Sequence, residues 1–245
     1  SGELDRSPDG ELLVYGHTLP SSIWVNDQEW LVSQSDINIF GKDIHIGNLS
    51  AACGGQSIKV DGGFSSTKPD TLEVNLVKFD MAIANILLGQ DFGISGLAAG
   101  RSTLSSPWES NAGLSVALSC DSVKVGGHDA GKVRIDCGMA DDRRLDILAY
   151  NQLDGIKTFD INGAYAMKDK VLDLVADLRD MEAGYVAPLL SSVFSETRGH
   201  LSGKVRVNGK TDNLSLSGEN TRFDNVMLRV AFTNVPYKVD GAVSL

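Results

Sequence analysis

The stretch Leu201-Ser202-Gly203-Lys204-Val205-Arg206-Val207-Asn208-Gly209 sets an apolar or small residue against a polar one at every step. A period of two is the pattern of a β-strand with one sheltered and one wet face, because successive side chains point to opposite sides of the pleat. The same alternation recurs along the chain. Ile37 and Ile39 alternate with Asp36 and Asn38, and Leu72, Val74 and Leu76 with Glu73 and Asn75. Val133 and Ile135 alternate with Lys132, Arg134 and Asp136, Leu214 and Leu216 with serines, and Val226, Leu228 and Val230 follow the same phase. More than a dozen such segments exceed what a flat open sheet holds, so the sheet must curl, fold on itself or close. The expected fold is mainly β, a curled antiparallel sheet, with a closed β-sandwich or barrel as the alternative.

Hairpin turns are expected at Asp61-Gly62-Gly63, Gly126-Gly127, Asn162-Gly163, Asn208-Gly209 and Asp240-Gly241, where Gly or Asn tolerates positive φ. Two segments break the alternation. One runs from Asp80 to Leu88 and the other from Asp180 to Phe194, with apolar residues three and four apart and an Asp suited to an N-cap. Short helices are expected at about residues 80–89 and 180–194, the second broken or delayed by Pro188. The pairs Asp80-Met81 and Asp180-Met181 stand 180 − 80 = 100 residues apart. Each follows an alternating run and precedes a Gly-rich strand start, Gly93-Ile94-Ser95-Gly96 and Gly199-His200-Leu201-Ser202-Gly203. This is an internal repeat. It divides the chain into residues 1–56, the strands of a preceding repeat, then one unit at 57–158 and a second at 159–245.

Composition narrows the function. The 245 residues carry 22 Lys and Arg against 32 Asp and Glu, a net charge of −10, with no basic run. Phosphate neutralisation is therefore lacking and nucleic acid is not an expected partner. The longest apolar run, Met81 to Gly89, falls short of the roughly 20 residues of a membrane-spanning helix. Ser1-Gly2-Glu3-Leu4-Asp5 has no signal-peptide features, and Tyr237 to Leu245 stops inside an alternating pattern. We expect a piece of a longer protein, with Ser1-Gly2 a cloning remnant.

No catalytic, metal or cofactor site is expected. Gly203 to Thr211 has a P-loop's residues but the wrong glycine spacing on an alternating strand, and Ser65-Ser66-Thr67-Lys68 precedes Pro69 in a polar turn. His17, His45, His128 and His200 are scattered without metal-ligand spacing, and Asp141-Asp142-Arg143-Arg144 reads as a solvated turn. Cys53, Cys120 and Cys137 form no C-x-x-C motif. Cys120 and Cys137 flank the turn-like Gly126 to Gly131 and either face a core or bridge across a hairpin. An enzyme on a β-solenoid would show a period of about 20–30 residues with stacked carboxylates, which is not found.

The run Val193-Phe194-Ser195-Glu196-Thr197-Arg198-Gly199-His200-Leu201-Ser202-Gly203, continued through Val207-Asn208-Gly209, resembles the repeats of the TamB (translocation and assembly module) family of the AsmA-like superfamily. Leu214-Ser215-Leu216-Ser217-Gly218, Val226 to Val230 and Asn234-Val235-Pro236-Tyr237 continue the likeness. It is best over residues 159–245 and looser over 57–140, where Trp108-Glu109-Ser110 stands in the loop; Asp212-Asn213-Leu214 departs from it by lacking a proline after the Asn. The resemblance implies an elongated periplasmic half-pipe, or β-taco, anchored in the inner membrane by an amino-terminal helix outside this sequence. It also implies phospholipid transfer to the outer membrane beside a TamA/BamA-like barrel partner, without catalysis. Strand phase then gives the expected lining of a lipid groove: Leu72, Val74, Leu76, Val133, Ile135, Leu201, Val205, Val207, Leu214, Leu216, Val226, Leu228 and Val230. The alternative is a β-rich binding or structural module of an exported protein that moves no lipid. Open sheet edges make edge-mediated self-association a further expectation.

Overall fold

The computed structural model describes residues 2–6, 12–25, 27–65, 70–82, 93–106, 112–140 and 143–243. They form one antiparallel sheet of 17 strands that does not close, which sets aside the barrel and the sandwich. The residues cluster into two compact units: Ser1–Phe79, Ala98–Leu118 and Cys137–Arg143 in the first, and Asp80–Leu97, Ser119–Asp136 and Arg144–Leu245 in the second.

In the first unit β1 (Gly2–Arg6) pairs with β2 (Leu12–Thr18), and β3 (Ser21–Val25) with β4 (Gln28–Val32). β2 also pairs with β5 (Ser35–Phe40), and both β4 and β5 pair with β6 (Asp43–Cys53). The register Leu13↔Phe40 to Thr18↔Ser35 continues without slip into Ser21↔Val32 to Val25↔Gln28. These four strands are thus one long hairpin interrupted at Leu19-Pro20 and Ser33-Gln34, where Pro20 has no N–H to donate. β7 (Gln56–Phe64) and β8 (Thr71–Asp80) extend the meander. β9 (Ser95–Ser105), β10 (Gly113–Val125) and β11 (His128–Ala140) have residues in both units.

The second unit continues through β12 (Arg144–Gln152), β13 (Phe159–Ala166) and β14 (Val171–Glu182). A 3-10 turn at Ala183–Val186 and a single α turn, α1 (Ala187–Leu190), lead to β15 (Phe194–Lys210), β16 (Asn213–Val230) and β17 (Pro236–Val243). Each strand from β12 onward is antiparallel to the next.

Two expectations are corrected. The helix of 180–194 is instead the end of β14 followed by the short 183–190 segment. Asp180 is no N-cap: it sits at φ 52 in a β-bulge, and its N–H donates to Ser202 Oγ at 3.0 Å. Pro188 suits only the first turn of a helix, and α1 begins at Ala187. At the first helix Asp80 does accept from the Ala82 N–H, at 2.9 Å, as an N-cap would; residues 83–92 lie outside the described residues.

The second correction concerns turns. Gly126-Gly127 turns the β10–β11 hairpin, but Gly62, Gly163, Gly209 and Gly241 lie inside strands. A Cβ at Gly163, with φ 154, would come within 2.1 Å of the Asp173 carbonyl oxygen on the neighbouring strand, so this glycine serves close backbone approach rather than reversal.

Bulges recur with one construction. Asn48 (φ 52) in β6 donates its N–H to Asp61 Oδ1 at 2.7 Å, and Asn225 (φ 49) in β16 donates to Asp240 Oδ1 at 3.2 Å, matching Asp180 and Ser202. A side chain on the adjacent strand takes up the N–H that the bulge frees from the ladder. The extra residue keeps Ile46 and Leu49 facing the same way, opposite Gly62 and Val60.

Candidate functional site

Cross-strand partners in the second unit sort the side chains into rows. Leu145, Tyr165, Leu172, Gly209 and Leu214 form one row across β12 to β16. Ile147, Gly163, Leu174, Val207 and Leu216 form the next, and Ala149, Ile161, Ala176, Val205 and Gly218 the third. Every member is apolar, aromatic or glycine. The opposite face carries Asp146, Ala164, Asp173, Asn208 and Ser215, then Leu148, Asn162, Val175, Arg206 and Ser217, then Tyr150, Asp160, Asp177, Lys204 and Glu219.

The polar face is laced by ion pairs. The Arg206 guanidinium donates two hydrogen bonds to Asp173, at 2.8 and 2.7 Å, and these bonds hold the Asp173 carboxyl below the ordinary carboxylate range. Arg229 donates to Glu196 at 2.8 Å and lowers it likewise.

The apolar face is not a sealed core. Val205 and Val207 are half-buried, while Leu214 and Leu216 are 47% and 55% exposed. Farther along the same strands the face closes: Met181, opposite Leu201, and Val226 are buried. There the 183–190 segment packs against β15. Tyr185 stacks edge-on against Phe159 with ring centroids 6.4 Å apart, and its hydroxyl donates to the Asp129 carbonyl at 2.7 Å. Burial pushes the Tyr185 phenol above its usual pKa, helped by Glu182 and Asp129. Asn151, wholly buried, donates to the Ala130 carbonyl at 3.1 Å and accepts from the Thr158 and Phe159 N–H groups at 3.0 and 2.9 Å.

In the first unit the rows are Ile37, Ile46, Gly62 and Leu72; Val14, Ile39, Ile44 and Phe64; Leu49, Val60 and Val74; and Ala51, Ile58 and Leu76. Tyr15, Asn38 and His45 share the reverse face. Trp30 is 3% exposed, with its ring 6.0 Å from that of Phe79.

The expected lining residues fall as follows. Leu72, Val74 and Leu76 share the first unit's apolar face. Leu201, Val205, Val207, Leu214, Leu216 and Leu228 share the second's, and Val226 sits on that face at its closed end. Val230 lies opposite Phe194, half-buried, and Val133 and Ile135 are half-buried on β11 between exposed Lys132 and Arg134. Missed on the second unit's rows were Leu145, Ile147, Ala149, Ile161 and Tyr165 of β12 and β13 and Leu172, Leu174 and Ala176 of β14; in β14, Val171 to Ala176 is apolar at nearly every position and gives no phase.

None of the three cysteines is in a disulfide. The β10–β11 hairpin turns at Gly126-Gly127, six residues after Cys120 and ten before Cys137 (126 − 120 and 137 − 127), so the two are not equidistant from the turn as a bridged pair must be. Burial raises the Cys120 thiol's pKa. Glu182 stands between two histidines, 3.5 Å from His128 Nδ1 and 3.5 Å from His200 Nε2. Among the described residues no group of His, Cys, Asp or Glu is arranged to hold a metal ion, and no helix is long and apolar enough to cross a membrane. The chain matches no family model, no curated protein and no solved structure.

Proposed function

We propose that this chain is a periplasmic segment of a TamB-like envelope protein, a scaffold without catalysis whose apolar sheet face shelters phospholipid acyl chains on their way to the outer membrane. The single observation that carries the reading is the second unit's apolar face: three consecutive rows across five strands, left half-exposed, while the reverse face mixes charged, polar and a few apolar residues. Large exposed apolar patches are uncommon on soluble chains and mark surfaces that something covers. An acyl chain suits a strip of this kind, since each methylene removed from water contributes about 0.8 kcal/mol and asks for no hydrogen-bond partner. A TamA/BamA-like barrel and an inner-membrane anchor belong to the same reading, which rests for them on the sequence resemblance.

The test is phospholipid recovered with the purified protein. Val207→Asp, on the strip, should lower bound phospholipid by on the order of tenfold, because the strip would then hold a carboxylate that must lose its water. Lys204→Asp, on the reverse face, should leave it unchanged. Equal lipid content in both variants and the parent protein contradicts the reading and favours a β-rich structural module.

A further inference from the structure

We propose that the reverse, polar face of the second unit carries a binding site for a neutral β-linked oligosaccharide, in the pocket framed by Arg144, Asn162, Asp173 and Arg206. The site lies on the other side of the sheet from the apolar strip and stands independently of the acyl-chain reading.

The pocket encloses about 370 Å³ over β13 and β14, within the range of small-ligand clefts, about 300–1,000 Å³. The register explains it. On this face β13 presents Asp160, Asn162, Ala164 and Ala166, and the β14 partners of the last three are Val175, Asp173 and Val171. Side chains thus shorten along β13, and Ala164, Ala166, Val171 and Val175 make an apolar floor on a face that is otherwise mostly polar. Ala164 is buried and the other three are half-buried.

The ions of the rim are already matched. Arg144 pairs with Asp146 at 3.1 Å, and Arg206 holds Asp173 through Nε and Nη2. Each guanidinium keeps further N–H groups outside these bonds, on Nη1 and Nη2 of Arg144 and on Nη1 of Arg206. The exposed Asn162 carboxamide has no hydrogen bond to a described residue. Lys204 and Lys210 share the face, but neither lines the pocket.

A pyranose ring combines apolar C–H faces with a rim of hydroxyls that both donate and accept. Its face covers the alanine and valine floor. Its hydroxyls meet donors on the guanidinium and carboxamide groups, and acceptors on Asp173 and the Asn162 oxygen. Hydrogen bonds to ionised groups are charge-assisted, and they ask for no net charge on the ligand. An anion would gain the free guanidinium edges but would also face the Asp173 carboxylate, like charge against like. From Asn162 to Ala166 the floor follows one strand for about 13 Å at ~3.3 Å per residue. An extended β-linked chain can follow that line, whereas an α-linked chain curls away from it.

The test titrates the purified, isotope-labelled protein with cellotriose or chitotriose and reads backbone amide shifts by NMR, with maltotriose as the α-linked comparison. Saturable shifts are expected at Asn162, Gly163, Ala164 and Val175 with a β-linked probe raised to about 10 mM, tenfold above a Kd of about 1 mM. Affinity for maltotriose should be at least about tenfold lower. Arg144→Ala/Asn162→Ala should lower the affinity for the β-linked probe at least about tenfold; both side chains are exposed, and a spectrum otherwise superimposable on the parent's shows that the variant folds. Lys204→Asp, outside the pocket lining, should leave the affinity unchanged. No shift at these amides with either β-linked probe overturns the proposal, as do equal affinity for maltotriose and shifts undiminished in the double variant. Shifts at the same amides with oligogalacturonate alone, lost in Lys210→Glu, would mark an anion site and would also overturn it. The acyl-chain reading stands in each of these cases, because its residues lie on the other face.

Discussion

Within the second unit, the end covered by residues 183–190 and the strip beyond it are made from the same strands, yet their apolar faces meet different fates. At the covered end Met181, Ala183, Thr197, Thr221 and Val226 are buried; on the strip Val205 and Val207 are half-buried and Leu214 and Leu216 exposed. The strands alone do not decide whether an apolar face becomes core or surface. Eight residues of crossover between β14 and β15 do, by folding back where Gly184 leaves room for the His128 ring and Pro188 lies against Gly126. A protein that needs an accessible apolar face can thus keep one, provided a short sealed region anchors the sheet.

The largest expected difference between the two regions is in stability. Val226→Asp places a carboxylate where 2% of the surface is accessible and should destabilise by about 4 kcal/mol, whereas Val205→Asp should cost about 1 kcal/mol or less. Urea denaturation measures both; equal losses would erase the distinction between core and strip. Next in size is Asn151→Ala. It strands the N–H groups of Thr158 and Phe159 and should cost about 2 to 3 kcal/mol, loosening the loop behind Phe159 and Tyr185.

Gly203 sharpens the boundary between the regions. Its φ is 116, and a Cβ there would meet the Asn220 carbonyl at 2.6 Å, so Gly203→Ala should destabilise by about 1 to 3 kcal/mol. Gly138, with nothing within 4 Å of a Cβ and no positive φ, is the control: Gly138→Ala should stay within about 0.5 kcal/mol in thermal melts.

The smallest effect is that of pH. Asp173 and Glu196 are held below the ordinary carboxylate range by Arg206 and Arg229. A depressed folded-state pKa contributes stability above the unfolded value, about 4, and that contribution disappears as pH falls through the folded value. The Asp173–Arg206 pair is exposed to solvent and screened, so Asp173→Asn should move the acid midpoint only slightly. A large shift would mean that the charged face, rather than the covered end, holds the unit together.

Much of the faces was legible beforehand. The alternation from Leu201 to Gly209 fixes Val205 and Val207 on one side and Lys204 and Arg206 on the other, because a period of two admits a single phase. Turns were not legible, since a Gly beside Asn serves equally a hairpin or a close in-strand approach; Gly163 and Gly209 are of the second kind. Asp180 was ambiguous for a similar reason: Asp suits an N-cap and also the positive φ of a bulge. The meeting of His128 and His200 at Glu182 depends on packing between β11, β14 and β15, which no local pattern encodes.

The most direct test of the central claim places a photo-crosslinking amino acid at Val205 and, separately, at Lys204 in the full-length protein in living cells. Lipid adducts at 205 and none at 204 are the predicted result. Equal labelling at the two positions, or none at either, would contradict a lipid-bearing apolar face.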